Sequence, residues 1–131
     1  MVSTPLIAMM RTSNFGFKLV SALSLMAIHL VCYAFVDDTD VVHTCTDPND
    51  TSDQLTQEMQ DVVDHWEGGL RATGGGLRAD KSYWYLVDYQ WKNNKWCNKS
   101  IADAPGNITV RDASGERVAL ERCEVSEAER R

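Results

Sequence analysis

The sequence predicts an α+β fold: an antiparallel hairpin bearing a pair of aspartates, one helix packed beneath it, and a second hairpin. Three observations lead there. Leu55, Met59, Val62, Val63, Trp66 and Leu70 recur at helical spacing, with Gln57, Glu58, Gln60, Asp61 and Asp64 on the other faces. Residues 83–91 (YWYLVDYQW) are rich in aromatic and β-branched side chains and are followed by the turn-forming Asn93-Asn94. Asp37 and Asp38 stand side by side between two apolar stretches.

The chain has 131 residues, of which 44% are hydrophobic and 24% charged, so one domain with a core is expected. Its net charge of -6 argues against a self-sufficient nucleic-acid binder, which needs a basic face to neutralise phosphates. Residues 1–36 hold Arg11 and Lys18 and no acid; every acidic residue lies from Asp37 onward.

Residues 4–11 form a short apolar helix, with Pro5 acceptable in its first turn. Asn14 and Gly16 break it from the next segment. Residues 19–36 (LVSALSLMAIHLVCYAFV) carry no formal charge behind a basic flank and admit two readings. One is a signal or anchor segment. The other, favoured here, is a buried strand over residues 27–36, apolar because it is covered on both faces. His29 sits where a membrane span disfavours it, and the apolar run resumes at Val41-Val42 without a polar spacer.

Residues 44–53 form a polar loop around Pro48. Thr51 and Gln54 fit a capping box at the start of the amphipathic helix, and Gly68-Gly69 fit a stop signal. Gly74-Gly75-Gly76 reads as a turn; the P-loop pattern is absent although Lys81-Ser82 echoes its end. Residues 83–97 read as a hairpin whose aromatics pack a sheet rather than stack on bases. A further hairpin joins Ile108-Thr109-Val110 to Val118-Ala119-Leu120, and the charged tail from Glu121 is expected to fray. The four cysteines, Cys32, Cys45, Cys97 and Cys123, lack zinc-ligand spacing; His43, two residues before Cys45, could begin a metal site but has no second pair near it. Free buried thiols are the expectation. Asn49, Asn98 and Asn107 head N-x-[ST] tripeptides, which matter only in a secreted chain.

Chemistry concentrates at Asp37 and Asp38. Two adjacent aspartates inside one apolar strand are costly unless paired or metal-bound. A tight turn between two strands removes that cost and projects both carboxylates at a sheet rim, where hard oxygen ligands suit Mg²⁺. Asp40, further along the second strand, is expected to lie solvated on its exposed face.

The apolar strand, Phe35-Val36-Asp37-Asp38 and second apolar strand resemble the palm motif of reverse transcriptases, aromatic-x-Asp-Asp. The order of the downstream elements is also similar: a polar loop, an amphipathic helix, a glycine-containing turn, then Asp80-Lys81-Ser82 before the next strand. Trp66-Glu67-Gly68-Gly69-Leu70 and Lys81-Ser82-Tyr83-Trp84-Tyr85 look like retrotransposon polymerases. The resemblance covers roughly residues 4–91, by element order. It implies a partial palm over residues 1–91, with residues 5–20 as the end of the helix before the catalytic strand, and a C-terminal hairpin and charged tail over residues 92–131. It implies that Asp37 ligates catalytic Mg²⁺, that Asp38 ligates or supports it, and that Lys81 lies near the phosphates of the incoming nucleotide. The reaction implied is two-metal nucleotidyl transfer on an RNA or DNA template–primer with a dNTP, in an intracellular enzyme without a membrane segment. The family's first metal-binding aspartate and its fingers are expected upstream, so the isolated chain is expected to be inactive. The competing expectation is a small secreted or membrane-anchored acidic protein with two disulfides.

Overall fold

The computed structural model describes residues 3–35, 38–45, 47–112 and 114–130. Three helices and several antiparallel strand pairs make an α+β fold, as the sequence predicts.

Helix α1 spans Ser3–Thr12, close to the predicted residues 4–11. Its end is sharp. Thr12 Oγ1 donates to Met9 O at 2.7 Å, and Asn14 takes a φ of 65°. Gly16 comes next with a φ of 105°, and a Cβ there would run into the Leu30 carbonyl oxygen. Only glycine fits that combination. The helix expected to reach residue 20 therefore stops early, and Phe17–Val20 becomes strand β1.

β1 pairs antiparallel with β2, Ala27–Leu30, Phe17 lying opposite Leu30. Strand β3, Cys32–Phe35, pairs instead with β4, Asp38–Val41. The single covered strand expected over residues 27–36 is thus two strands with different partners, separated at Val31. Nor is it covered on both faces: Ile28 is 51% exposed, whereas Val31 is buried. The Val31 carbonyl accepts from Val42 N–H at 3.0 Å, tying the two hairpins together at the break.

Helix α2, Ser52–Ala72, organises the rest. The predicted capping box is present: Thr51 Oγ1 accepts from Gln54 N–H, and Gln54 Oε1 accepts from Thr51 N–H at 2.8 Å. The predicted stop at Gly68-Gly69 is not. Gly69 lies inside the helix, where a Cβ would run into the ends of Leu6 and Met9, so the missing side chain lets α1 approach. The helix ends at the glycine triplet instead. Gly74 N–H donates to Arg71 O and Gly75 N–H to Leu70 O, with Gly74 at a φ of 83°.

Two apolar clusters flank α2. Leu6, Met10 and Val31 pack on Val62 and Trp66. Trp84, Ile108 and Val110 pack on Val63.

The expected strand over residues 83–91 is also divided. β5, Tyr83–Trp84, is separate from β6, Tyr89–Lys92, which pairs with β7, Lys95–Asn98. The turn at Asn93-Asn94 has φ values of 54° and 59°, the two positive angles of a tight hairpin. Strands β8, Thr109–Arg111, and β9, Arg117–Ala119, form the predicted third hairpin. The tail does not fray at Glu121. β10, Glu121–Arg122, pairs in parallel with β5, Cys123 is buried, and α3 spans Val125–Ala128.

Trp66→Ala is expected to cost about 3–5 kcal/mol, the range for deleting a large buried aromatic. Gly16→Ala is expected to cost about 1–3 kcal/mol from backbone strain alone. Urea midpoints of the two variants check both; a Gly16→Ala chain as stable as the parent refutes the turn described here.

Candidate functional site

The β3–β4 hairpin is where sequence and structure meet. Its register sets Phe35 opposite Asp38, Ala34 opposite Thr39, Tyr33 opposite Asp40 and Cys32 opposite Val41. Val36 and Asp37 fall between the paired strands in sequence and lie outside the described residues. Asp38 is thus the first residue of β4 rather than the second residue of a turn. It is exposed, as is Asp40 two positions on. Residues two apart in a strand share a face, so Asp38 and Asp40 project on the same side of the hairpin. The solvated position expected for Asp40 agrees with its exposure.

Lys81 closes the 3₁₀ turn Ala79–Lys81 and is exposed. Among the described residues no ion pair joins it to Asp38. Its neighbour Asp80 forms a bidentate bond with Arg78, at 2.8 and 2.7 Å. The hydrogen bond from Arg78 holds the Asp80 carboxyl below the usual carboxylate range. Ser82 Oγ donates to Arg78 O at 2.7 Å, so Asp80 and Ser82 both brace the turn that presents Lys81.

His43 lies just past β4 and has no free ring nitrogen. Nδ1 accepts from Gly16 N–H at 3.4 Å, and Nε2 donates to Glu58 Oε2 at 2.8 Å. This side chain, 4% exposed, joins the α1–β1 turn to α2 and leaves no lone pair for a metal. Phe15 packs edge-on against His43 and His65, and its carbonyl accepts from His29 Nε2 at 2.6 Å. All three histidines of the chain therefore converge on Phe15-Gly16. Nothing in the spacing of residues 29, 43 and 65 signals that convergence.

The polar ties on the other side of α2 also escape the sequence. Gln60 acts like one rung of a ladder, donating from Nε2 to Thr109 O at 2.9 Å and accepting at Oε1 from Thr109 N–H at 2.8 Å. Arg117 grips Asp64 at 3.0 and 3.1 Å. Glu67, 4% exposed, accepts from Arg111 N–H at 3.3 Å and faces Arg71 Nε at 3.4 Å. The Glu67–Arg71 spacing of four is the single signal of this set visible in the sequence.

Ser52, Asp88 and Lys99 form a third polar cluster. Ser52 Oγ donates to Asp88 Oδ2 at 2.5 Å, and Lys99 Nζ donates to the same oxygen at 2.6 Å and to Ser52 Oγ at 2.9 Å. Lys99 Nζ is the donor in both of these bonds, so it presents no acceptor to the Ser52 hydroxyl. The cluster is a strut between the start of α2 and the β6–β7 hairpin.

Glu121, Cys123 and Glu127 bring two carboxylates and a thiol within 4.8 Å of one another. The thiol is a soft donor and does not suit Mg²⁺. Among the described residues the four cysteines carry no disulfide, and burial raises the Cys32 thiol above its ordinary value. No described helix is long and apolar enough to cross a membrane.

No protein-family profile, curated protein or solved structure matches this chain.

The Asp88 carboxyl yields a pH prediction. Burial pushes it up, but hydrogen bonds from Lys99, Ser52 and Tyr89 N–H outweigh burial and hold it low. Its folded value is below the unfolded one, about 3.9. The stability it contributes is complete above that value and is lost as pH falls through the folded value. Asp88→Asn is expected to be less stable than the parent at pH 6, with the difference narrowing below about pH 4. Thermal unfolding across that window measures it; a pH-independent gap refutes the strut.

Proposed function

We propose that the chain is part of the palm of a reverse transcriptase of retrotransposon type, and that its Asp37 and Asp38 belong to a two-metal nucleotidyl-transfer site. The observation that carries this reading is the β3–β4 hairpin. An antiparallel pair whose first strand ends at Phe35 and whose return strand opens with Asp38 sets that carboxylate at one end of a sheet. The helix that comes next, α2, packs against the apolar Val31 beside β3, in keeping with a palm helix under its sheet.

Asp38 offers one exposed hard-oxygen donor, which fits Mg²⁺; Asp37 and Asp38 would hold the ion, with a further carboxylate from another strand. Bound there, Mg²⁺ supplies charge stabilisation for the attacking and leaving oxygens. Lys81, exposed on its braced turn, is the cation for the phosphates of the incoming nucleotide. Template–primer and dNTP are the partners in the intact enzyme, and its location is the cytoplasm or nucleus. The isolated chain has too few ligands to catalyse.

The test is primer extension with Mg²⁺. The isolated chain is expected to give no product. In an enzyme completed with upstream fingers and palm, Asp38→Asn is expected to lower the rate by about 10²–10³, the effect of removing one preorganised electrostatic group. Synthesis by the isolated chain, or a completed enzyme indifferent to Asp37→Asn and Asp38→Asn, overturns the reading.

A further inference from the structure

We propose that the tip of the β1–β2 hairpin is an anchor that enters one leaflet of a bilayer containing anionic phospholipid. The tip is apolar and open on every side. Leu23 is 99% exposed, Leu25 78%, Met26 65% and Val20 60%. Leu19 and Ile28, paired one rung further in, are half exposed. Between Lys18 and His29 the chain carries no charged residue. Strands of four residues are too short to cross a bilayer, so the hairpin enters end-on and shallowly.

The polar groups of the tip are turned inward. Ser21 N–H donates to Met26 O at 2.9 Å, and Leu25 N–H donates to Ser21 O at 2.9 Å. Ser24 N–H donates to Ser21 Oγ at 3.3 Å, and Met26 N–H to Ser24 Oγ at 3.4 Å. The two serines, the sole polar side chains of the tip, thus accept from its own backbone. A segment that leaves water for an apolar medium needs its amides satisfied in this way. Leu25 points in the same direction. It holds a φ of 56°, where glycine or asparagine is the usual occupant. A leucine there costs stability, and what it adds is a second large apolar side chain at the tip. The aromatics of β6–β7, expected to pack a sheet, are also open to solvent, Trp96 at 68%, but no cation shares their face of that hairpin.

The cations behind the tip select the surface. Lys18 lies opposite His29, two rungs behind the last pair, Val20 and Ala27. Arg11 Nη2 donates to the His29 carbonyl oxygen at 3.4 Å, which sets the guanidinium at the same level. At about 3.3 Å per residue, that level is about 7 Å behind the end of the strands. Interfacial segments bury their apolar side about 5–10 Å deep, so with the tip at the acyl boundary both cations reach the phosphates. Lys18 Nζ donates to the neutral Asn14 side chain, and among the described residues neither cation is in an ion pair. Residues 1–36 hold no acid, in a chain whose net charge is -6. An anionic surface therefore attracts this end and turns the acidic remainder away, and salt screens charges beyond about 8 Å. The proposal does not depend on the polymerase reading, because Asp37, Asp38 and Lys81 all lie outside this hairpin.

The test is flotation of the full chain with vesicles of equimolar phosphatidylcholine and phosphatidylserine, against vesicles of phosphatidylcholine alone. The chain is expected to float with the anionic vesicles and more weakly with the neutral ones. Leu25→Asn suits the positive φ, so it is expected to leave the urea midpoint unchanged or raised. Combined with Leu23→Ser, it is expected to weaken vesicle binding at least about tenfold, the lower end for one buried leucine. Lys18→Gln is expected to weaken binding to the anionic vesicles about fivefold and to leave the neutral ones unaffected. Leu23→Trp places a reporter at the tip, and lipids brominated on their acyl chains are expected to quench it beyond the quenching of the parent. Sedimentation velocity without lipid covers the other occupant, a second copy of the chain. Failure to float, equal binding to both vesicles, a stable double variant that binds like the parent, or a lipid-free dimer that the double variant dissolves each overturns the proposal.

Discussion

Both apolar clusters among the described residues have helix α2 as one of their walls. Val62 and Trp66 close the cluster with α1 and Val31, and Val63 closes the one with Trp84, Ile108 and Val110. Consecutive helical residues point about 100° apart, so Val62 and Val63 serve different neighbours from adjacent positions. Both clusters are small. Neither holds together without the shared helix, because burying apolar area requires two surfaces and α2 supplies one of them each time. The capping box at Thr51 and the glycine cap after Leu70 set its length, and the length sets how many neighbours it can seat.

With so little apolar area, polar contacts take over much of the positioning. His43 ties the Gly16 turn to Glu58, Gln60 completes the backbone bonding of Thr109, and Asp64 holds Arg117. Exposed pairs such as Asp64–Arg117 add little stability. Their role is orientation. The Gln60–Thr109 pair fixes the register of β8 against the helix, which apolar contacts of Ile108 and Val110 alone leave free to slide.

Much of this architecture is legible in the residues. Helix α2 announces itself by its apolar period and its Thr51–Gln54 box, and the last two hairpins by Asn93-Asn94 and by the paired runs Ile108-Thr109-Val110 and Val118-Ala119-Leu120. The failures have physical causes. Gly68-Gly69 reads as a helix stop because glycine usually is one, but Gly69 is a point of close approach to α1, a tertiary requirement no local rule contains. The β1–β2 hairpin is hidden in a continuous apolar run whose turn includes Leu25 at a φ of 56°, a residue that gives no turn signal. β10 pairs with β5 far away in sequence, so its charged residues look like a loose tail. Of the candidate site, the hairpin carrying Asp38 is readable from the apolar run before it, whereas the expected apolar return strand is Asp38–Val41, polar and exposed through Asp40. Asp37 lies outside the described residues, and the braced turn at Lys81 depends on an Arg78–Asp80 pair that sequence spacing does not single out. The exposure of Trp91 and Trp96 is illegible because aromatic strands usually find a core, and this one has none beneath its outer face.

Among the described residues the ten strands form five two-stranded sheets, and four of the five are hairpins. That division bears on how the chain finds its fold. A hairpin closes a short loop and forms in microseconds, yet an isolated one is marginal in water. Each is therefore a fast, reversible local event that becomes permanent only on docking to α2 or its neighbours. The parallel pairing of β10 with β5 is different, since it must enclose two complete hairpins between its strands. Loop-closure entropy makes that pairing costlier to form than any of the hairpins. The C-terminal residues thus act as a latch, binding the far end of the chain back across two ribbons that are marginal on their own.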